Sequence, residues 1–133
     1  MLRRAYLLSL FAETCGRAGR IDEGLAALDE GLRGAERWWE AEFYRLKGDL
    51  LLSRSAGSLA EVEACYSTAL DVARQQQARS LELRAALSLA RLRREQGKQT
   101  EARDALVPVY GWFSKGFSTP DLRAAKELLE ALT

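Results

Sequence analysis

A short pattern recurs three times along this chain of 133 residues, and the recurrence limits the possible folds more than any other feature. In each copy, a glycine is followed four positions later by Glu and five positions later by a small or β-branched residue. The three glycines, Gly19, Gly57 and Gly97, are 38 and 40 positions apart. Self-similarity at such a spacing is typical of repeat proteins. Because an amphipathic stretch precedes and follows each glycine, the pattern predicts three helical hairpins that turn at these residues.

The apolar stretches have the period of helices and not that of strands. Their hydrophobic residues recur at i, i+3 or i+4, which places them on one helix face. The six stripes are Leu8, Phe11, Ala12 and Cys15; Ile21, Leu25, Leu28 and Leu32; Trp39, Phe43, Leu46 and Leu50; Val62, Tyr66, Ala69 and Ala73; Leu83, Ala86, Leu89 and Ala90; and Ala102, Leu106, Val109 and Phe113. With one Ile and four Val, the chain also has few strand-forming residues. The sequence predicts an all-α fold.

The three predicted hairpins cover about residues 3–34, 38–77 and 79–115, and a seventh helix over 119–132 is expected to cap the stack. Two sequence signals mark helix starts. Ser58 and Glu61 have the spacing of a capping box. Thr119 precedes a proline at the first position of the last helix. A chain of this length is expected to build one core, so residues 1–133 are predicted to form a single domain.

Small residues recur where neighbouring helices should cross, because backbones approach closely only without a bulky side chain between them. These positions are Ala12, Gly24, Gly31, Gly48, Ala69, Ala90 and Ala102. Since glycine weakens a helix interior by about 1 kcal/mol, the helix that contains Gly31 is expected to fray or end early. The small-then-large spacing resembles the tetratricopeptide repeat, in which antiparallel helix pairs stack. The resemblance implies a right-handed superhelical stack.

Four segments also resemble the C-terminal repeat region of large bacterial signalling proteins. In those proteins, a class III adenylate or guanylate cyclase domain or a LuxR-type DNA-binding domain is joined to a regulatory ATPase. The segments are 36–42, 64–70, 107–113 and 116–122. The resemblance implies a regulatory or scaffolding role in signal transduction or transcriptional regulation, with catalysis in other domains.

Composition argues against an enzyme. The chain has no His, which removes the usual acid–base group and most zinc and haem ligand sets. Cys15 and Cys65 have no spacing partners and are expected to be buried reduced thiols. Carboxylates such as Glu82 and Glu101 are expected to form solvated pairs with Arg79 and Arg94. We therefore expect no catalytic residues, no metal and no cofactor.

The charge pattern and the N-terminal segment bear on location and partners. The net charge is +1, which does not suggest nucleic acid or an anionic membrane as a partner. The apolar stretch after Arg3 and Arg4 is too short and too polar for a signal peptide, and no run is long enough to span a membrane. A cytoplasmic protein is expected.

A binding surface is predicted on the exposed ridges of the first helix of each hairpin. The candidate residues are Tyr6, Trp38, Glu42, Arg45, Asp49, Arg84, Leu87, Arg91 and Arg94. Three arginines on the third ridge favour an acidic or C-terminal carboxylate segment of a partner protein. The alternative interpretation is a charged face that only keeps the protein soluble. Trp38 is expected to be exposed for recognition, while Trp39 and Phe43 are expected to be buried.

Three further points concern self-association, RNA binding and aromatic packing. The apolar face of the first helix, Leu2–Cys15, could pack against a second copy and form a homodimer. RNA binding is disfavoured because acidic residues interrupt any basic stripe across the hairpins. An aromatic set near the last helix is expected to fill the core between the third hairpin and the cap. Its members are Tyr110, Trp112, Phe113 and Phe117.

Overall fold

The computed structural model describes residues 2–34, 37–54, 58–113 and 119–132, and these residues form seven α-helices and one short 3₁₀ helix without strands. The predicted all-α class is confirmed. The α-helices are α1 (Leu2–Arg17), α2 (Ile21–Arg33), α3 (Glu40–Ser53), α4 (Leu59–Gln75), α5 (Arg79–Glu95), α6 (Gln99–Trp112) and α7 (Pro120–Ala131), and the 3₁₀ helix is Arg37–Trp39.

Glycine turns join α1 to α2 and α5 to α6. Gly19 and Gly97 both have φ near +77°, the left-handed conformation that glycine adopts at least cost. The amide of the residue after each glycine donates to a carbonyl of the last helical turn, at 2.8 Å for Arg20 to Cys15 and for Lys98 to Arg93. Gly57, the predicted turn glycine of the second hairpin, lies outside the described residues.

The bend between α4 and α5 has the same hydrogen-bond pattern without glycine. Gln77 adopts φ +55°, and the amide of Ala78 donates to the carbonyl of Ala73 at 2.9 Å. A side chain in this conformation carries a steric cost, which the sequence pattern does not reveal. The bend therefore lies between the predicted ranges 38–77 and 79–115, at a residue that no turn glycine marks.

Side-chain caps begin α4 and α7 as predicted. The Ser58 hydroxyl accepts the amide of Glu61 at 3.4 Å, and the Thr119 hydroxyl accepts the amide of Leu122 at 3.2 Å. Each cap satisfies a backbone donor that the first helical turn leaves open. Ser118, Gly116 and Phe117 of the predicted junction lie outside the described residues.

Each helix packs against its neighbours along the chain, and α3 and α5 lie at the centre. α3 contacts α1, α2, α4 and α5, while α7 packs against α5 and α6. One apolar cluster joins α1, α2 and α3, and a larger one extends from the end of α3 through α4, α5 and α6 to α7. The most deeply buried large side chains are Phe43, Leu28, Leu83, Leu106, Val62 and Val109.

Helix α2 does not end early, so that prediction was wrong. The helix continues through Gly31 and ends at Arg33. A Cβ atom at position 31 would lie 2.6 Å from the ring of Phe43, so the glycine makes room for a fully buried aromatic side chain. The packing of that ring offsets the lower helix propensity of glycine.

Two aromatic residues of the predicted apolar sets are exposed, and of these Trp112 was predicted to fill the core. Phe11 is 47% exposed because no described element covers that side of α1. Trp112 is 54% exposed, and its ring packs against Phe113 and against the guanidinium of Arg79, 4.9 Å from the ring centroid. A cation–π contact at the surface, and not core filling, accounts for the position of Trp112.

None of the helices in the described ranges is both long enough and apolar enough to cross a membrane.

The contact between Gly48 and Tyr66 gives a test of the predicted crossing points. A Cβ at position 48 would lie 2.6 Å from the Tyr66 ring, whereas one at Gly111 of α6 would meet nothing within 4 Å. We expect Gly48→Ala to lower the free energy of unfolding by about 1–3 kcal/mol through overpacking. Gly111→Ala should instead raise it, by up to about 1 kcal/mol, through helix propensity. Denaturant unfolding of both variants measures this, and equal effects would contradict the packing argument.

Candidate binding groove

Two adjoining cavities form a groove along α3 and α5. An apolar half of about 500 Å³ lies among Leu52, Leu59, Tyr66 and Leu92, and a polar half of about 360 Å³ extends to α1 and α7. Arg45, Ser88 and Arg91 line both halves. The polar half is further lined by Tyr6, Ser9, Leu10, Glu13, Trp39, Glu42, Arg84, Leu87 and Asp121. Volumes in this range are typical of ligand-binding pockets.

A buried carboxylate is at the centre of the polar half. Glu42 is only 4% exposed, and its two oxygens accept hydrogen bonds from Nε and Nη2 of Arg45, both at 2.8 Å. Nη1 of Arg84, from α5, donates to the same carboxylate at 2.9 Å. A buried charge is tolerated only when it is paired and hydrogen-bonded in this way. The two arginines thus allow Glu42 to lie inside the fold.

The pairing continues in both directions and links four helices. Nε of Arg84 donates to Asp121 of α7 at 3.0 Å. Nη1 of Arg45 donates to Asp49 at 3.2 Å, and Asp49 accepts the hydroxyl of Tyr66, on α4, at 2.5 Å. We call this series, from Tyr66 through Asp49, Arg45, Glu42 and Arg84 to Asp121, the ionic chain.

Burial and the contacts within the ionic chain change the pKa values of three of its members, Glu42, Asp49 and Tyr66. Burial alone would raise the pKa of Glu42, but the hydrogen bonds and charges of Arg45 and Arg84 outweigh burial and lower that pKa. For Asp49 burial is the larger influence, so its pKa is raised despite the Tyr66 hydroxyl and the Arg45 charge. Burial and the neighbouring Asp49 also raise the pKa of Tyr66, which stays a hydrogen-bond donor.

Arg91 is the cation of the groove that the ionic chain leaves out. It lies on α5 between the two halves and is exposed. Among the described residues, no carboxylate lies within ion-pair distance of its guanidinium, although its charge acts on Asp49 from further away. Arg91 can therefore pair with an anion from a bound molecule without breaking an existing ion pair.

An aromatic pair closes the α1 end of the polar half. Nε1 of Trp39 donates to the buried Ser9 hydroxyl at 3.0 Å, and that hydroxyl donates to the carbonyl of Tyr6 at 2.7 Å. The rings of Tyr6 and Trp39 meet edge to face at 6.3 Å. Trp39 was predicted to be buried. It is only partly buried, because its hydrogen bond to Ser9 keeps it at the wall of the groove.

The structure brings seven of the nine predicted site residues together in the groove: Tyr6, Glu42, Arg45, Asp49, Arg84, Leu87 and Arg91. Trp38 and Arg94 line neither half; Trp38 is exposed and stacks obliquely on Trp39 at 4.9 Å. The predicted exposure of the ridge was wrong at Glu42 and Leu87. Leu87 is 3% exposed because α5 is enclosed by α3, α4, α6 and α7.

Two predicted surface pairs also differ from the structure. Glu82 is 4% exposed, and it binds Arg74 as well as the expected Arg79. The expected pair of Glu101 with Arg94 is not present among the described contacts. The neighbouring Arg93 instead pairs with Glu63 and donates to the carbonyl of Glu101. The helical period does not predict which neighbour across the helices an arginine reaches.

Sequence reasoning missed Tyr66, Ser88 and Asp121 as groove residues. Tyr66 was placed on the apolar stripe of the second hairpin, and Asp121 was not among the candidate binding residues. A signal for Tyr66 existed, because Gly48 opens the surface of α3 next to Asp49 and admits a large ring. No local signal connects Asp121 with Arg84, 37 positions away.

The described residues contain no group of three or more His, Cys, Asp or Glu side chains that could hold a metal ion. Cys15 and Cys65 are free thiols; Cys15 is buried as predicted, and Cys65 is half-buried. No protein-family model, curated protein or solved structure matches the chain.

The pairing of Glu42 predicts a pH-dependent stability. Because folding lowers the pKa of Glu42, its carboxylate stabilises the fold above the ordinary value of 4.5, and this contribution is lost as the pH falls through the lowered pKa. Glu42→Gln should lower the free energy of unfolding at neutral pH by roughly 3 kcal/mol, because Arg45 and Arg84 lose their shared buried anion and keep only the more exposed Asp49 and Asp121. The deficit relative to wild type should shrink in acid, as measured by urea unfolding across the pH range.

Two control variants accompany this measurement. Asp49→Asn should behave in the opposite sense, because the pKa of Asp49 is raised and wild type gains stability relative to this variant as the pH falls. Glu23→Gln, at an exposed pair with Arg20, should change stability little. A Glu42→Gln deficit that is independent of pH would contradict the assignment.

Proposed function

We propose that the chain is a non-catalytic protein-binding module, and that its groove binds an extended segment of a partner protein. The observation that carries this proposal is the position of Arg91 between the ionic chain and the apolar half of the groove, with no carboxylate of the described residues within ion-pair distance. A guanidinium in that position suits a carboxylate of the partner. The neighbouring apolar half suits an apolar side chain of the same segment.

The charges of the groove support one carboxylate contact and not a run of them. Of its three arginines, Arg45 and Arg84 already pair with Glu42, Asp49 and Asp121. Glu13 and Glu95 add further negative charge to the lining. A strongly acidic segment would meet repulsion there. The expected ligand therefore has one carboxylate, from Asp, Glu or a chain terminus, next to a large apolar residue.

The wider context follows from the resemblance of the sequence. The consecutive helix pairs and their contacts are compatible with a stack of the tetratricopeptide kind, which we propose with its right-handed superhelical course. We further propose that the module acts as a regulatory or scaffolding part of a bacterial signalling protein in the cytoplasm. In such a protein, catalysis belongs to other domains.

Selection from a displayed library of random peptides tests the groove. We expect selected peptides to share a large apolar residue next to an acidic residue or a free C-terminus. Arg91→Glu should weaken their binding at least about 30-fold, because it removes a charge-assisted contact and adds repulsion. Fluorescence anisotropy with labelled peptides gives the dissociation constants.

Arg94→Glu is the matched control, because Arg94 is exposed on the same helix and lines neither half of the groove. It should leave the affinity within about twofold, as surface pairs and rim charges contribute little. Equal losses in both variants would indicate general electrostatics, and selected peptides that bind Arg91→Glu as well as wild type would exclude the groove.

A further inference from the structure

The wall of the groove that α5 forms presents hydrogen-bond donors first and acceptors one turn later. Ser88 and Arg91 line both halves and can donate. Glu95 and Gln96, at the end of α5, line the apolar half and can accept. Leu92 lies between the two pairs and is buried. The wall therefore changes from donors to acceptors along the helix, with an apolar side chain in between.

These polar groups lack partners within the fold. Ser88 is only 8% exposed, yet none of the described residues hydrogen-bonds to its hydroxyl. The side-chain oxygen of Gln96 is buried and meets no donor among the described residues. Glu95 is exposed, and no cation in the described ranges lies within ion-pair distance of its carboxylate. Because buried polar groups are normally hydrogen-bonded, a bound molecule is expected to supply an acceptor at Ser88 and a donor at Gln96.

The opposite wall of the apolar half is formed by the last turn of α3 and by α4, and it presents apolar surface. Leu52 and Leu59 are 47% and 48% exposed there. Successive side chains of an extended segment point to opposite sides, and residues i and i+2 on one side are about 6.6 Å apart. Arg91 and Glu95 are separated by about 6 Å along the axis of α5, at 1.5 Å per residue. Residues i and i+2 of a segment can therefore face these two charges while residue i+1 faces the two leucines.

We propose that the segment bound in the groove carries three consecutive side chains that are acidic, large and apolar, and basic, in this order from the polar half outward. The carboxylate accepts from Arg91 and Ser88, and the apolar side chain covers the exposed leucines of α3 and α4. The cation pairs with Glu95 and donates to Gln96, whose amide turns toward it by rotation about the last side-chain bond. This inference rests on the proposed function, to which it adds the cation and its spacing.

Fluorescence anisotropy with labelled peptides tests the basic position. The probe has blocked termini and the core Glu-Leu-Lys between glycines, and the comparison peptide has the core Glu-Leu-Glu. Wild type should bind the first roughly fivefold more tightly, because Glu95 attracts lysine and repels glutamate. Glu95→Lys should reverse this preference, and it should fold because the helix dipole favours a cation in the last turn of α5. Asp104→Lys, at an exposed residue of α6 that lines neither half, should keep the wild-type preference.

Two further measurements test the spacing and the buried oxygen. With a glycine inserted before the last residue of the core, wild type should no longer prefer lysine to glutamate, because that side chain then points away from α5. Gln96→Leu should weaken binding of the Glu-Leu-Lys peptide at least about threefold without lowering the free energy of unfolding, because it removes only an unpaired oxygen. With norleucine in place of lysine, wild type and Gln96→Leu should bind equally.

The outcomes separate this inference from the proposed function. A wild type without preference for lysine, a preference that Glu95→Lys does not reverse, or a Gln96→Leu variant that binds the lysine peptide as tightly as wild type overturns the inference. If Arg91→Glu still weakens peptide binding in that case, the proposed function stands. Peptide binding that is insensitive to Arg91→Glu removes the proposed function and this inference with it.

Discussion

The central constraint on this structure is the buried carboxylate of Glu42. A charge at that depth is stable only with partners, and here the partners come from two helices, Arg45 on α3 and Arg84 on α5. Since Arg84 also binds Asp121, the same pairing connects α5 to α7, which Leu122, Ala125 and Leu128 hold in the larger apolar cluster. Replacing such a network with apolar residues often costs no stability, so we attribute to it a role in fixing helix positions more than in strengthening the fold. The groove is a consequence of that fixed arrangement.

The local parts of the fold could be predicted because local physical chemistry determines them. Gly19 and Gly97 mark bends because the left-handed conformation is cheap only for glycine, and the stripes mark helices because burial follows the helical period. The bend at Gln77 has no such mark, since tertiary packing holds a residue with a Cβ in a costly conformation. Gly31 was misjudged for a related reason: helix propensity is local, but the Phe43 ring that needs the space comes from another helix.

For the candidate groove, the helical period predicts which residues of one helix share a face, but it does not predict which of them are buried. Glu42, Arg45 and Asp49 recur at i, i+3 and i+7, so their common face follows from the sequence alone. Which of these side chains is buried does not, because burial of Glu42 depends on Arg84, 42 positions away. The sequence therefore placed the arginines on a binding surface but could not show that two of them are already neutralised. This distinction moves the expected ligand contact to Arg91.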